Sequence, residues 1–255
     1  MYRTITKEQY LERLQFPPDY QVDGVLVYGS LYEDRTIAEM LPVLAEMGYK
    51  TEAMSLSHPF LRFARELKIG DKNIWFVIAY GGSWLSEYLH WACLFGSKKN
   101  ILLGSCGGLK KGMQPGDFIV PTYSYAQESS AMLYDRESAD HYPDTDLSAK
   151  LVEKLGKVEK VWQGPMVTCQ AMIGETWEDV ETWSNAGYYG VEMEAATTFA
   201  VSKHFNVPAA ASVYMGDNLI EQQTNFSDDY AKQEHLRQQK RDHQMRAALE
   251  LLIED

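Results

Sequence analysis

Short apolar, β-branched runs alternate with longer helix-like segments along this chain, and that alternation limits the possible folds more than any other feature. The strand candidates are GVLVYG (24–29), IWFVIAYG (74–81), NILLGSCG (100–107), DFIVPTYSYA (117–126), VWQGPMVTC (161–169) and PAAASVYMG (208–216). In the segments between them, apolar residues recur every three or four positions, as in DRTIAEMLPVLAEMG, WLSEYLHWACLFG and AATTFAVSKHFN. This pattern predicts an α/β fold with three layers, α/β/α, around a mixed, mainly parallel central sheet.

The formal net charge of −12 makes nucleic acid and membranes poor partners for this chain. A negative surface repels phosphate backbones and anionic lipid head groups. The apolar runs are too short to span a bilayer, and the stretch MYRTITKEQYLERLQFPPDY lacks the apolar core of a signal peptide. Cys93, Cys106 and Cys169 form neither a Cys-x-x-Cys pair nor a disulfide framework. We therefore expect a cytoplasmic protein without a metal site.

One domain, residues 1–255 with a core from about residue 24, is predicted because no repeat, low-complexity tract or linker-like stretch divides the chain. The tail from Asn225 to Asp255 is typical of a long helix that Ser227 and Asp228 can cap. The apolar residues that would pack this helix are Leu236, Ala247, Leu249, Leu251 and Leu252. Its Lys/Arg-rich middle is interpreted as a solvated face and not as a binding site.

Residues 127–150 are polar and irregular, which predicts a loop near the mouth of a pocket. Tyr134 and His141 are the two side chains of this segment that we weigh as pocket residues. A surface position is the favoured interpretation for both.

Glycine-rich or polar clusters stand at the ends of the predicted strands. In open α/β sheets, ligands bind beyond the carboxyl ends of the strands, where backbone groups and helix N-termini converge. The clusters are Gly29-Ser30, Gly81-Gly82-Ser83, Gly104-Ser105-Cys106-Gly107, Thr168, Glu192 with Glu194, and Gly216-Asp217-Asn218. A single cluster would be read as an ordinary turn, whereas the recurrence of six predicts a binding site along this edge.

Three segments resemble the nucleoside phosphorylase family, which includes purine and uridine phosphorylases and related nucleosidases. They are LLGSCGGLKKGMQPGDFIVPT (102–122), YYGVEMEAATTFAVSKHFNVPAAASVYMGDN (188–218) and, less closely, GVLVYGSLYEDRTIAEML (24–41). The Val-Glu-Met-Glu-Ala block, followed by a strand that ends in Asp-Asn, is the most specific part. The resemblance implies an enzyme that cleaves the N-glycosidic bond of a nucleoside. It also implies a homo-oligomer without a tightly bound cofactor.

By this resemblance, Glu194 would accept hydrogen bonds from the ribose hydroxyls, with Met193 packed against the sugar and Glu192 supporting the backbone. A fixed carboxylate stabilises the oxocarbenium character that the sugar acquires as the C–N bond breaks. A helix N-terminus after this block would help to keep Glu194 ionised. Asp217 would donate a proton to the purine nitrogen N7 as the base leaves, a task suited to a carboxylic acid with a raised pKa.

The predicted base-binding residues are Met172, Ile173 and Asn218, with Met172 in place of a phenylalanine that is common in purine-cleaving relatives. Uridine-specific relatives use a glutamine and an arginine after the strand equivalent to 161–169. This chain offers Gln170 there but no arginine. The resemblance therefore favours a purine over a pyrimidine.

Two arginines that hold phosphate in family phosphorylases are missing from this sequence. The matching positions are Leu102 and Glu33, and Asp34 stands beside Glu33. Negative charges repel phosphate strongly in a cleft, whereas a carboxylate base can activate water. The sequence therefore favours hydrolysis modestly over phosphorolysis, with Glu33 or Asp34 as the base. A helix-start acid that favours the macrodipole is the alternative for the residue that is not catalytic.

Phosphate stays open as a co-substrate because Gly29, Gly104 and Ser105 can form an anion-binding turn. Candidate sources of positive charge are Arg35, Arg62, Arg65 and His58. The alternative to an enzyme is a catalytically weak nucleoside-binding protein of the same fold. Glu194 and Asp217 together favour the enzyme, since a binding protein has less need of a proton donor.

Overall fold

The structure, a computed structural model, describes residues 1–126, 129–222 and 234–254, and only the backbone of Leu236. The strands are β1 (Gly24–Gly29), β2 (Ala53–Ser55), β3 (Ala64–Ile69), β4 (Lys72–Ala79), β5 (Asn100–Gly108), β6 (Phe118–Ala126), β7 (Asp140–His141), β8 (Val161–Thr168), β9 (Gly190–Glu192) and β10 (Ala209–Asn218). The α-helices are α1 (Lys7–Arg13), α2 (Glu33–Glu46), α3 (Gly82–Leu94), α4 (Ala131–Tyr134), α5 (Thr145–Gly156), α6 (Trp177–Asn185), α7 (Ala195–His204) and α8 (Glu234–Ile253).

All six predicted strands are confirmed, each with its ends within two residues of the prediction. Their residues form continuous apolar runs because most of them are buried on both faces, as the burial of every residue of β1 before Gly29 shows. The sequence did not predict β2, β3, β7 and β9. These strands are short or, in β3, carry charged residues at partly exposed positions.

The strands form one mixed sheet with the order β10-β6-β8-β9-β5-β1-β4-β3-β2, and β7 pairs with β6. Parallel pairs join β1 to β4 and β5, β5 to β10, and β8 to β6 and β9. Antiparallel pairs join β3 to its two neighbours, β5 to β9, and β6 to β7 and β10. Because β10 pairs with β5 as well as with β6, the strands β5, β10, β6, β8 and β9 close into a ring.

Two apolar clusters cover the two faces of the sheet, which confirms the three-layer architecture. Along β1, Leu26 and Tyr28 face one cluster, and Val25 and Val27 face the other. The first cluster also contains buried residues of α2, α5 and α8, and the second contains residues of α1, α3 and α7. The side chains of β1 therefore alternate between two helical layers, as expected for a central strand.

The C-terminal helix α8 packs through the predicted residues Ala247, Leu249, Leu251 and Leu252, all of which are buried. The predicted caps Ser227 and Asp228 and the side chain of Leu236 lie outside the described residues. The interpretation of the Lys/Arg-rich middle as a solvated face is wrong. Its residues Arg237, Lys240 and Arg241 are buried and paired with glutamates of other segments or of the same helix.

The segment 129–150 is more regular than predicted. It contains α4, β7 and the start of α5, whose first turn is capped by the Asp144 side chain accepting from the Leu147 backbone N–H at 2.8 Å. His141 is buried, and Tyr134 is partly buried with its hydroxyl 3.1 Å from His90 Nδ1. The surface interpretation is therefore wrong for His141, whereas Tyr134 keeps a partly exposed position, and the structure places neither of them in the cavities described below.

Among the described residues, every helix is too short or too polar to cross a lipid bilayer.

Candidate active site

A cavity of about 710 Å³ opens at the carboxyl ends of the central strands. Its lining includes Gly29 from the end of β1, Ser105 from β5, residues 192–194 from the end of β9 to the start of α7, and Asp217 from β10. Gly107 of β5 pairs with Asp217 on one side and with Val191 on the other. The Val-Glu-Met-Glu-Ala motif lies at the end of β9 and the Asp-Asn motif at the end of β10. This register brings the two strand ends within about two strand spacings, roughly 10 Å, of each other.

Glu192 caps the start of α7. Its Oε2 accepts hydrogen bonds from the backbone N–H groups of Glu194 and Ala195, both at 2.7 Å. Its Oε1 accepts from the Thr168 hydroxyl at 2.5 Å, in line with the pairing of Thr168 and Glu192 between β8 and β9. Three donors thus satisfy a side chain that is only 5% exposed, and the first N–H groups of the helix are not left without partners.

Glu194 lines the cavity and does not cap the helix, although it occupies the N-cap position of α7. Its Oε1 accepts one hydrogen bond, from the Gly81 backbone N–H at 2.5 Å. Gly81 has φ +87°, in the region that favours glycine, and this conformation aims its N–H at the carboxylate. The other oxygen, Oε2, faces Gly29 so closely that a Cβ at residue 29 would lie 2.9 Å from it.

The two glutamates share an environment that disfavours two negative charges. Burial raises the pKa of Glu192 and of Glu194, and the charge of Glu192 raises that of Glu194 further. Glu192, with three donors, is the more strongly stabilised anion, so the pair holds its proton on Glu194. The helix N-terminus therefore stabilises Glu192, and not Glu194 as the sequence suggested.

A second set of hydrogen bonds holds the loops around Glu194 in place. Gln170 accepts from the Gly82 backbone N–H at 2.9 Å and donates to the Met193 carbonyl at 3.1 Å. Thr168 lies 2.8 Å from the Ser124 hydroxyl and accepts from the Ala196 N–H at 3.0 Å. Gln170 thus joins β8 to α3 and to the Met193 loop, and it does not line the main cavity.

Asp217 reaches the cavity because β10 is irregular at its end. The pairing with β5 shifts between Met215 and Asp217, so that Gly216 is an extra residue in β10. Such a bulge re-aims the following side chain. Met215 packs into a buried apolar cluster, whereas Asp217 lines the cavity.

Glu175 is a carboxyl group of the cavity that the sequence did not reveal. It follows the 3₁₀ turn Met172–Gly174 and lines the same cavity as Asp217. Burial, together with the negative charges of Asp217 and Asp179, raises the pKa of Glu175 to about 7. Its protonation therefore changes near neutral pH, beside the residue predicted to protonate the base.

Aromatic side chains also line the cavity without having been predicted. They are Tyr80, which directly follows β4, and Trp177, at the start of α6, and both are about half exposed. Tyr80 directly precedes Gly81-Gly82, so its position at a predicted strand end was the available signal. Trp177 follows Thr176, whose side chain caps α6, and no sequence pattern indicated the cavity there.

The structure brings most of the predicted binding residues together. Glu192, Met193, Met172, Ile173 and Gly29 all line the cavity, with Met172 and Ile173 on the exposed 3₁₀ turn at its mouth. Gly104 lies behind the lining, where a Cβ would be 3.7 Å from the Gly29 backbone. This is an ordinary van der Waals distance, so the packing of β5 against β1 does not require a glycine at this position.

Three predicted residues lie elsewhere. Asn218 is fully buried and donates to the backbone carbonyls of Lys110 and Met113, so its amide does not face the base. Glu33 forms an ion pair with Arg65, and Asp34 is exposed to solvent. Neither acid is part of the lining of the main cavity or of its neighbour.

A second cavity, of about 530 Å³, adjoins the first and shares Gly29, Tyr80, Ser105 and Met172 with it. Its outer wall is formed by α2 and α8. The part of the chain that the structure describes holds no group of three His, Cys, Asp or Glu side chains placed to bind a metal ion.

Comparison with known proteins agrees with this geometry. A family model described as the phosphorylase superfamily matches residues 86–251. The guanosine phosphorylase of Halorubrum lacusprofundi is 32% identical over 118 residues, 46% of this chain. The DeoD-type purine nucleoside phosphorylase of Clostridium beijerinckii is 26% identical over 129 residues, 49% of this chain. The chain spans about half the length of these two relatives, 49% and 54%.

Solved structures show the same fold at lower identity. Uridine phosphorylase from Vibrio fischeri ES114 superposes with a TM-score of 0.74 at 19% identity, over 91% of this chain and 94% of its own. The same enzyme complexed with 6-hydroxy-1-naphthoic acid gives 0.77 at 17% identity, over 98% of both chains. The family match covers well over half of the present chain and includes Ser105, Glu194 and Asp217. This protein is accordingly a member of the phosphorylase superfamily.

Proposed function

We propose that this protein cleaves the N-glycosidic bond of a purine nucleoside and transfers the pentose to phosphate. The observation that carries the proposal is the placement of Glu194 and Asp217 in the lining of one cavity of about 710 Å³. That volume is in the range of small-molecule sites. Bond cleavage needs one group for the sugar and one for the base, and these two carboxyl groups come from different strand ends.

The reaction would proceed by breaking the C1′–N bond, with the electron pair moving to the base. Hydrogen bonds from the ribose hydroxyls would favour the ionised form of Glu194. The ionised carboxylate would then stabilise the positive charge that develops on the sugar. Asp217 would give its proton to N7 of the leaving purine. A phosphate oxygen would form the new bond to C1′, and the proton that phosphate then releases would restore Asp217.

A purine is supported by the base end of the cavity. Met172, Ile173 and Trp177 offer an apolar surface to a flat base, and the described lining contains no arginine of the kind that uridine-specific relatives use. The two curated relatives are named for guanosine and for purine nucleosides. Because Asn218 faces the protein interior, the base would be recognised by other groups, and Glu175 is an ionisable candidate in the lining.

Phosphate is favoured over water because the predicted water-activating acids are not in the cavity. Glu33 is paired with Arg65, and Asp34 is exposed. Hydrolysis is the second candidate, since Glu33 and Leu102 stand where family phosphorylases have arginines. Both relatives named above are phosphorylases.

The test is product analysis with a panel of purine and pyrimidine nucleosides, including methylthioadenosine, with and without phosphate. We expect purine release that requires phosphate and yields pentose 1-phosphate. Free pentose without phosphate would replace phosphorolysis by hydrolysis. If no nucleoside releases its base, the enzyme proposal fails and a binding protein becomes the better interpretation.

Two variants test the assigned roles. We expect Glu194→Gln and Asp217→Asn each to lower kcat/KM by about 10²–10³, the effect of removing one group that acts on developing charge. The matched control is Glu153→Gln on α5, whose side chain is 72% exposed and outside the cavity lining. Wild-type rates in either variant would contradict the assignment.

We also propose, from the resemblance and from composition, a homo-oligomer in the cytoplasm. Light scattering on the purified protein measures the oligomeric state directly.

A further inference from the structure

The second cavity is lined by three arginines, of which the sequence had indicated only Arg35 as a possible source of positive charge. Arg35 comes from α2, and Arg237 and Arg241 come from α8. Two carboxylates, Glu39 and Glu234, also line the cavity. The charged lining side chains therefore carry an excess of one positive charge, in a chain whose net charge is −12.

The arginines are held in a fixed arrangement by these carboxylates. Arg241 donates to Glu39 through Nε at 2.9 Å and to Glu234 through Nη2 at 2.8 Å. Arg237 donates to Glu234 at 2.9 Å, and Arg35 pairs with both glutamates. The side chains of Arg237 and Arg241 are 3% and 8% exposed, so their guanidinium groups are positioned by packing and do not extend into bulk solvent.

The two carboxylates differ in how firmly they are held. Glu39 is 14% exposed, whereas Glu234, the first described residue of α8, is 47% exposed. Burial alone would raise the pKa of Glu234, but hydrogen bonds from Arg241 and Arg237 lower it to about 2. Glu234 is therefore an ionised and accessible group that an incoming anion can displace from the arginines.

A buried hydroxyl in the same cavity is a second indication of a ligand, independent of the arginines. Tyr28, at the end of β1, is 4% exposed, and its hydroxyl has no hydrogen-bond partner among the described residues. Burial raises the pKa of Tyr28, so the hydroxyl keeps its proton and is a donor. An unpaired buried hydroxyl costs stability unless a ligand accepts from it.

The position of the cavity indicates the role of such a ligand. Gly29 and Ser105 line both cavities, and Glu194 Oε2 lies against Gly29. An anion held beside Ser105 would therefore lie next to the sugar end of the first cavity. Planar guanidinium groups bind the oxygens of phosphate in a bidentate way.

We propose that the second cavity binds a phosphoryl group, held by Arg241, Arg237 and Arg35, with Tyr28 and Ser105 as neutral donors and Glu234 displaced from the arginines. The C-terminal helix thus supplies the positive charge that Glu33 and Leu102 do not. The inference deepens the proposed function and rests on it for the ligand's role. The phosphoryl group comes either from inorganic phosphate or from a phosphate ester of the nucleoside.

Calorimetric titration without turnover tests the site directly and separates the two sources. One arm uses inorganic phosphate, another a purine nucleoside 5′-monophosphate, and a third the nucleoside alone. Binding of inorganic phosphate identifies a free co-substrate. Binding of the monophosphate, but not of inorganic phosphate, identifies a phosphorylated substrate. Because no bond is cleaved, a failed activity test leaves this result intact, and the reverse also holds.

Variants with opposite expected effects on anion affinity distinguish a ligand site from a structural ion-pair network. We expect Arg241→Gln to weaken anion binding at least tenfold and Tyr28→Phe to weaken it several-fold. Glu234→Gln should instead tighten binding several-fold, because it removes the competing carboxylate. A purely structural network gives no reason for a gain of affinity.

The control is Arg246→Gln, which removes another arginine of α8 whose partner, Glu46, lies outside the cavity. It should bind anions as the wild type does. Tyr28→Phe and Arg35→Gln, the latter at a half-exposed side chain, keep the test decisive if Arg241→Gln fails to fold. The proposal is overturned if the wild type binds neither anion, or if folded variants all bind as the wild type does.

Discussion

At the scale of single residues, the site depends on two glutamates whose positions differ by two in the sequence but whose partners differ completely. Glu192 takes three hydrogen bonds from protein donors, and Glu194 takes one and faces the cavity. The first fixes the chain where the helix begins. The second keeps its remaining capacity to accept hydrogen bonds for a substrate.

Replacing Glu192 by Gln should change the pH dependence of catalysis. Burial and the charge of Glu192 raise the pKa of Glu194, so activity that needs ionised Glu194 is lost as the pH falls through that raised pKa. Without the neighbouring charge, the acid limb of kcat/KM should move to lower pH by roughly one unit. A pH–rate profile measures the shift, and an acid limb that stays in place would show that Glu192 does not tune Glu194.

Gly29→Ala tests how closely Glu194 is placed. The added Cβ would lie 2.9 Å from Glu194 Oε2, so the carboxylate must move. A displacement of this kind should lower kcat/KM by about 10- to 100-fold with little loss of stability. The control is Gly156→Ala at the end of α5, where a Cβ would meet no atom within 4 Å. Unchanged kinetics in Gly29→Ala would mean that Glu194 does not need this position.

At the scale of elements, the turn between β8 and α6 contributes both an apolar surface and an ionisable group to the cavity. The Thr176–Asp179 capping box fixes the start of α6, and the 3₁₀ turn before it presents Met172 and Ile173. Glu175 stands between these two features. Its carboxyl group is therefore held near Asp217 by local structure on both sides.

Glu175→Gln should make the protein more stable at alkaline pH. The pKa of Glu175 is raised from 4.5 to about 7, so its stabilising contribution is complete below pH 4.5 and is lost as the pH rises through 7. The neutral glutamine avoids that loss. Because Glu175 is partly exposed, solvent screening limits the gain in the free energy of unfolding at pH 8 to about 1 kcal/mol, or roughly 2–4 °C in Tm.

Melting temperatures at pH 5 and pH 8 measure this difference, with the exposed Glu181→Gln of α6 as the control. An equal rise in the Tm of Glu175→Gln at both pH values would contradict the titration of Glu175. The same variant reports on base recognition if kcat/KM for purines changes at pH 8.

Sequence patterns located the elements of the fold far better than they located its charged side chains. The strands with two buried faces were visible because each forms a continuous apolar run, and Glu194 and Asp217 were visible because each lies in a motif of adjacent residues. Arg241 was not visible, since its partner Glu39 is 202 positions away in sequence. A Lys/Arg-rich helix is indistinguishable from a solvated one until the element it packs against is known.

At the scale of the whole molecule, α8 joins the apolar layer of the sheet to the charged cavity. Its C-terminal half packs through Leu249 and Leu252, and its N-terminal half carries Arg237 and Arg241. Lys99, which precedes β5, donates to the carbonyls of Leu251 and Glu254 near the end of α8. The helix is therefore fixed at the end remote from the arginines.

Leu249→Ala should destabilise the protein by about 2–5 kcal/mol, because this side chain is fully buried against the sheet and its truncation leaves a cavity. Urea unfolding gives the free energy of unfolding. Leu133→Ala, at a side chain that is 57% exposed, should change it by less than about 0.5 kcal/mol. Equal effects of the two truncations would mean that α8 contributes little to the core.

The closed ring of β5, β10, β6, β8 and β9 also bears on aggregation. Strand edges with unpaired backbone groups act as templates for the strands of other chains. In the half of the sheet that holds the cavity, the described strand that lies outside the ring is β7, which has only two residues. The opposite end of the sheet is β2, a strand of three residues. We therefore expect folded copies of this protein to associate through side-chain surfaces and not by extending one another's sheets.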